Sequence, residues 1–253
     1  MKIVLRAAAM VGLLCAAFGL AYELGWVRFN YPERRYPIRG IDVSHHNGAV
    51  DWNAVRDAGF AFAYVKATEG GNYVDNRFLQ NREGARRAGL KVGAYLFFSF
   101  CRDGKLPAEN FIAHVHAEAD ALPPGVDLEI KGNCSRRPDP ESLGLQLDTL
   151  RTLLRQAYAQ EPVLYVSRDF FKAYMRPRWK NVAGARLWFR DVFLEPHWTG
   201  DPAPPSFWQY ADNACVAGVK GPMDLDVFRG DSSEWRSFSA PDNSNPLPAP
   251  FGR

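Results

Sequence analysis

Histidine is scarce in this chain, with 5 among 253 residues, and those present are badly spaced for a metal. His45 and His46 are adjacent, and neighbours on a strand point to opposite faces. His114 and His116 lie two apart on a predicted helix and diverge. The 4 cysteines match no zinc spacing. No metal and no cofactor is expected. Glycine-rich phosphate loops are missing, and Ser44 and Ser167 lack the strand–turn–helix setting of a nucleophile elbow. Net charge is only +3 and no basic run occurs, which argues against nucleic acid as a partner. No internal repeat is visible.

One long uncharged stretch is present. Lys2 and Arg6 precede Ala7 to Tyr22, and Glu23 ends it. A basic start followed by an apolar run reads as an export signal. Gly19-Leu20-Ala21 offers small residues for cleavage, while Trp26 would suit the membrane interface of a retained anchor. Both outcomes stay open: periplasmic or secreted, or held at the inner membrane. Leu14 before Cys15 is too large for a lipoprotein site. Residues 1–36 are therefore signal or anchor plus a short linker. Residues 37–237 form one catalytic-sized barrel, and 238–253 a Pro/Ser/Asn-rich disordered tail. The chain is expected to be a monomer.

Between these ends, short β-branched or aromatic runs alternate with amphipathic ones. Strands are predicted at Gly40–Val43, Phe62–Ala67, Lys91–Phe100, Gly125–Ile130 and Val163–Val166. Helices are predicted from the Asp51 cap to Ala58, from the Asp75 cap to Ala88, and from Pro107 to Ala121. A fourth follows Asp139-Pro140, with Leu143, Leu147, Leu150 and Leu154 on one stripe. The rhythm then changes. Leu187–Phe189, Phe207–Tyr210 and Leu225–Val227 read as strands with loops between them, punctuated by Pro196, Pro202, Pro204 and Pro205. Five strand–helix units and three bare strands make an α/β fold, an irregular TIM-like (β/α)5(β)3 barrel. Cys101 and Cys134 each follow a strand end, so they are the expected disulfide at one rim.

Val126-Asp127-Leu128-Glu129 is the most informative stretch. Residues two apart on a strand share a face, with alpha carbons roughly 6.5–7 Å apart. Two carboxylates there repel each other and need a use. In a parallel barrel the active site lies at the C-terminal strand ends. Asp42 ends the first strand, and Asp224 and Asp226 flank Leu225 near the last. Clustered carboxylates cannot all ionise cheaply, so one stays protonated near neutral pH. A glycosidase needs such an acid to protonate the leaving oxygen. Glu129, longer and nearer the mouth, is the expected acid, with Asp127 ionised beside it. The alternative for Asp127 is a structural acid bonded to loop backbone. Tyr64, Tyr95, Trp188, Trp208 and Tyr210 are either core or sugar-stacking residues. Trp208-Gln209-Tyr210 is the leading stacking candidate, with Gln209 free to bond a hydroxyl or acetamido group.

Four blocks in this chain resemble glycoside hydrolase family 25, the Chalaropsis-type lysozymes or N-acetylmuramidases. They are Gly40-Ile41-Asp42-Val43-Ser44-His45-His46-Asn47-Gly48 with Val50-Asp51-Trp52, and Tyr64-Val65-Lys66-Ala67-Thr68-Glu69-Gly70. Val126–Glu129 is the third, and Trp208-Gln209-Tyr210 with Met223–Phe228 the fourth. The resemblance implies cleavage of the β-1,4 bond between N-acetylmuramic acid and N-acetylglucosamine in peptidoglycan glycan strands. It implies Glu129 as acid/base, assisted by Asp127, with Asp42 and Asp224 as further cleft acids; it prefers Asp224 over Asp226. Asp127 would stabilise charge or orient the 2-acetamido group. Two positions depart from the family pattern. Leu96 follows Tyr95 where His is frequent, and Arg190 stands where a small residue is usual. A glycan-binding protein without turnover, or a glycosidase of other specificity, are the competing readings.

Overall fold

A computed structural model describes residues 1–176, 185–196 and 206–240. Nine strands form one sheet: β1 (Arg39–Val43), β2 (Phe62–Glu69), β3 (Tyr73–Val74), β4 (Lys91–Phe97), β5 (Gly125–Leu128), β6 (Val163–Ser167), β7 (Arg186–Arg190), β8 (Phe207–Ala214) and β9 (Met223–Phe228). The order is β1-β9-β8-β7-β6-β5-β4-β2-β3, and pairing of β1 with β2 closes eight strands into a barrel. Strand β3 is a two-residue hairpin partner hung on β2. Strand β9 runs antiparallel to both its neighbours, while the other barrel pairings are parallel. Helices α2 (Trp52–Asp57), α3 (Phe78–Arg87), α4 (Lys105–His114), α5 (Pro140–Tyr158) and α6 (Arg168–Phe170) follow the first five barrel strands. The last continues into a wide turn over Phe171–Met175. The final helix, α7 (Ser232–Ser239), and the N-terminal α1 (Lys2–Glu23) lie outside this alternation. The expected (β/α)5(β)3 barrel is the fold observed.

Period-two alternation divides each strand between two environments. Ile41, Val43, Ala63, Val65, Leu96, Val126, Leu164, Val166, Leu187 and Phe189 point outward and pack with the helices. The leucine stripe of α5 is buried in that same layer. Phe62, Tyr64, Val163, Trp188, Phe207 and Phe228 point inward and fill the base. Trp235 of α7 closes the bottom, its ring centroid 5.3 Å from Phe62 and 5.2 Å from Phe228. Asp231 and Glu234 cap α7 reciprocally. Phe238 stacks beside Trp235, so the packed barrel continues past position 237. The predicted tail beyond residue 240 lies outside the described residues, as do Pro202, Pro204 and Pro205.

Two helices, α4 and α3, differ in their boundaries from the sequence expectation. Helix α4 begins two residues earlier, where Asp103 Oδ1 accepts from the amides of Lys105 and Leu106. It stops at His114 instead of Ala121, because Glu118 and Asp120 are drawn to Arg82 and Arg86 of α3. Asp75 does not cap α3 directly. Its carboxylate takes the Arg77 amide and the His45 amide, and α3 starts at Phe78. Here ion pairs between elements outweigh local helix preference. A disulfide joins Cys101 to Cys134, with alpha carbons 6.2 Å apart, and ties the β4 exit to the β5 exit.

Gly93 makes the aromatic base possible. A methyl group there would sit 2.3 Å from the Tyr64 ring. Gly93→Ala is expected to destabilise the barrel by about 1–3 kcal/mol through overpacking, read as a lower urea midpoint at unchanged slope.

Candidate active site

Above the aromatic base the inward positions turn polar. Asp42, Tyr95, Asp127, Glu129, Tyr165, Trp188, Gln209 and Asp224 line a cavity of about 140 Å³. Each comes from or just past a different strand, except Asp127 and Glu129, which share β5 and its exit. Asp42 and Asp224 are direct cross-strand partners of β1 and β9. Strand β5 ends at Leu128, so Glu129 stands just beyond the ladder, at the mouth. Asn133 holds it there. Its amide donates to the Glu129 carbonyl (3.0 Å) and the Phe98 carbonyl (2.7 Å), while its Oδ1 accepts from the Phe100 amide at 2.8 Å. The sequence offered no signal for that clamp, since an asparagine five residues past a strand reads as loop.

Burial is the main electrostatic fact. Desolvation pushes the Glu129 carboxyl up to about 7. Arg190 opposes this, and Asp42 adds to it. Asp127 is raised well above the ordinary carboxylate range by desolvation, then by repulsion from Glu129, with Lys66 pulling the other way. Asp224 is raised well above it by desolvation and the Asp42 charge. Asp42 is raised by desolvation, against a hydrogen bond from Gln209 Nε2 at 2.8 Å. Gln209 in turn accepts from the Tyr165 hydroxyl at 2.9 Å. Asp127 Oδ1 is buried and has no hydrogen-bond partner within the described protein. A buried acceptor left open costs about 1–3 kcal/mol, a cost that a substrate donor would relieve.

The candidates named from sequence separate cleanly. Tyr95, Trp188 and Gln209 reach the cavity with the four acids. Tyr64 does not: its ring lies in the base, 4.8 Å from Trp188, and its hydroxyl donates to the Pro123 carbonyl. Trp208 and Tyr210 do not either. With Gln209 facing inward, its neighbours must face out. Trp208 donates to the Asp191 carbonyl and Tyr210 donates to Glu33, both on the barrel's outside. Of Trp208-Gln209-Tyr210, only Gln209 reaches the cavity, so the expectation that the two aromatics stack there is corrected. Asp226 shares the inward face with Asp224 but sits fully buried, accepting from Trp188 Nε1 at 2.8 Å. Asp224 is the one that lines the cavity.

Two contributors, Tyr165 and Lys66, were missed as site residues from sequence, and a third, Arg190, stood out there only as a departure from the family pattern. Tyr165 lies on the inward face of β6, and the outward Leu164 and Val166 on either side were a usable signal. Lys66 faces Asp127 while paired to Glu69 at 2.7 Å. Arg190 stands at the end of β7, bonded to Asp212 at 2.6 Å, and its charge acts on Glu129, Asp42 and Asp224. Among the described residues no group of three or more His, Cys, Asp or Glu side chains is arranged to hold a metal ion.

A closed mixed barrel with clustered carboxylates at the C-terminal mouth of its strands is the architecture of a barrel glycosidase. Residues 41–219 match the sequence pattern of Glycosyl hydrolases family 25. The chain belongs to that family and is a glycoside hydrolase. It is 32% identical over 213 residues to Lysozyme M1 of Streptomyces globisporus, covering 78% of this chain and 69% of that protein. A family 25 glycosyl hydrolase structure from Bacillus anthracis superposes with TM-score 0.77 at 31% identity, covering 84% of this chain and 98% of the other. The bacterial lysozyme of Streptomyces coelicolor gives TM-score 0.71 at 26% identity, covering 80% and 96%.

Glu129 holds its proton more tightly folded than unfolded. The fold therefore loses stability as pH rises between about 4.5 and 7. Glu129→Gln removes that loss. Its stability relative to the unsubstituted protein should rise by up to about 3 kcal/mol from pH 4 to pH 8, read by urea unfolding at both pH values.

Proposed function

We propose that this chain is an exported muramidase that hydrolyses the β-1,4 bond between N-acetylmuramic acid and N-acetylglucosamine in peptidoglycan. The observation that carries the reading is the Glu129 carboxyl. It is desolvated at the mouth, titrates near neutrality, and shares its cavity with three aspartates. Relatives named lysozyme and N,O-diacetylmuramidase support the substrate class. The apolar α1 suits a route out of the cytoplasm.

In this reading Glu129 gives its proton to the glycosidic oxygen as the bond breaks, and its carboxylate then accepts a proton from water. Asp127 assists. Its open, buried Oδ1 suits the N–H of a 2-acetamido group, which would be turned toward the anomeric carbon. Burial and the neighbouring Glu129 raise the Asp127 carboxyl well above the ordinary range, against the ionised Asp127 expected from sequence, so its part is to hold the acetamido group. Desolvation, with the neighbouring Asp42 adding to it, keeps Glu129 protonated up to about neutral pH. Gln209, fixed between Tyr165 and Asp42, presents a rigid wall. Tyr95 and Trp188 supply aromatic surface for the sugar rings.

Glu129→Gln should lower release of reducing ends from purified peptidoglycan by about 10²–10⁴-fold while the protein stays folded. Unchanged release would remove Glu129 from the mechanism, and binding without turnover in the unsubstituted protein would favour a glycan-binding role. Mass spectrometry of the products names the bond, since muramidase action leaves N-acetylmuramic acid at the new reducing end. Activity should fall above about pH 7 as Glu129 ionises. Arg190→Gln removes a cation that favours the ionised form, so this alkaline limb should move upward by up to about 1 unit. A limb that stays in place would detach Glu129 from it.

A further inference from the structure

Helix α1 is 22 residues long, with a mean hydropathy of 2.2 over its most apolar window and none of that window buried. At 1.5 Å per residue it spans about 33 Å, against about 30 Å of bilayer hydrocarbon. Length and composition alone suit a cleaved signal equally well. The contacts at the C-terminal end of the helix favour an anchor.

The end of α1 is built into the barrel. The Tyr22 hydroxyl donates to Asp212 Oδ1 at 3.4 Å, and the Asn213 amide donates to the Tyr22 carbonyl. The Cys215 thiol lies 3.2 Å from the Leu24 carbonyl. Gly25, at φ +71°, comes so close that a methyl group would lie 2.1 Å from the Asn213 carbonyl oxygen. The amides of Leu24 and Trp26 return to the carbonyls of Leu20 and Ala21, so the bonds after Gly19-Leu20-Ala21 sit inside a capped last turn. The chain then descends the outside of β8. Arg28 bonds Glu33 and the Tyr210 hydroxyl, and Asn30 donates to the Val192 carbonyl at 2.6 Å.

A second observation comes from the barrel itself. Strand β8 runs parallel to β7, so Asp212 to Cys215 and Asp191 to Glu195 both lie at the cleft's rim. Phe193 and Leu194 project from that rim at 59% and 60% exposure. Phe29 bridges them to the helix, its ring 5.1 Å from Phe193, 5.1 Å from Tyr22 and 5.8 Å from Phe18. Trp26 beside them is 74% exposed. An apolar belt continuous with the end of a membrane-length helix fits a bilayer interface, where tryptophan is favoured. Asp212, which takes Tyr22, also takes Arg190, whose charge acts on Glu129.

We infer that α1 remains on the mature protein as a membrane anchor. The barrel rests its β7–β8 rim on the lipid surface through Trp26, Phe29, Phe193 and Leu194. The partner surface is the bilayer, and the cleft opens at membrane level. Given the proposed hydrolase activity, the strand within reach is the glycan nearest the membrane rather than the outer wall.

The full chain, expressed in a bacterial host and recovered from its membranes, tests the anchor by intact mass. The expected mass retains residues through Glu23; a chain beginning at Tyr22 or later overturns retention. Docking is tested on the full chain reconstituted in phosphatidylcholine–phosphatidylglycerol vesicles carrying nitroxide lipids. A thiol-linked fluorophore is placed at Leu194→Cys or at Glu83→Cys, both with Cys15→Ser and Cys215→Ser. Glu83 lies on α3, which packs on β2 and β4 across the barrel from β7 and β8. Quenching at least about twofold stronger at position 194 is expected, since nitroxide contact falls off over a few ångströms of interface depth. Equal quenching at the two positions overturns the docked rim. Neither readout uses catalysis, so either failure leaves the hydrolase reading standing.

Discussion

The desolvation of several carboxylates in one closed space is the constraint on which this molecule turns. Asp42, Asp127, Glu129 and Asp224 come from three strands and one loop, and water alone would keep them ionised and apart. The barrel denies them water, and their mutual repulsion then raises the proton affinity of the group. Lys66 and Arg190 offset part of that field without cancelling it. The outcome is a cluster of carboxyls that all hold their protons more tightly than in water, with Glu129 brought up to about 7.

Such a cavity needs a rigid floor. Tyr64, Trp188, Phe207, Phe62 and Phe228 supply one by filling the lower barrel, and Trp235 seals it from below. Trp188 joins floor to site, since its ring lines the cavity while its indole N–H serves the buried Asp226. The disulfide and the Asn133 clamp brace the opposite side of the mouth, where the exits of β4 and β5 must hold Glu129 in place. Packing below and covalent bracing above thus serve the same requirement, that the acids cannot relax outward into solvent.

The rim around β7 and β8 is organised differently. Its contacts reach toward the N-terminal segment through Asp212, Asn213 and Val192, and its outer surface carries the exposed Phe193 and Leu194. One side of the mouth is thus tied to the polypeptide that enters the barrel, and the other to the loops that carry the acid. Arg190 is paired to Asp212 on this rim, and its charge acts on Glu129.

The strand–helix rhythm, the acidic strand and the pairing of Cys101 with Cys134 were all legible in the sequence. Period-two and period-3.6 patterns are local, and a pair of acids on one strand face is visible wherever it occurs. The inward or outward choice for Trp208, Gln209 and Tyr210 was not legible. Alternation says that neighbours differ, but only barrel closure says which face holds the cavity. The early end of α4 also escaped, because its cause lies in Arg82 and Arg86 of another helix. By itself, then, the sequence determined the order of elements and the candidate acids, with Asp224 preferred over Asp226 only through the family resemblance. The tertiary structure alone decided which aromatics are floor and which are outer skin, and it placed Asp224 at the cavity. It alone decided how far Glu129 titrates from an ordinary carboxylate, because desolvation depends on what surrounds a group in space, and those surroundings come from distant parts of the chain.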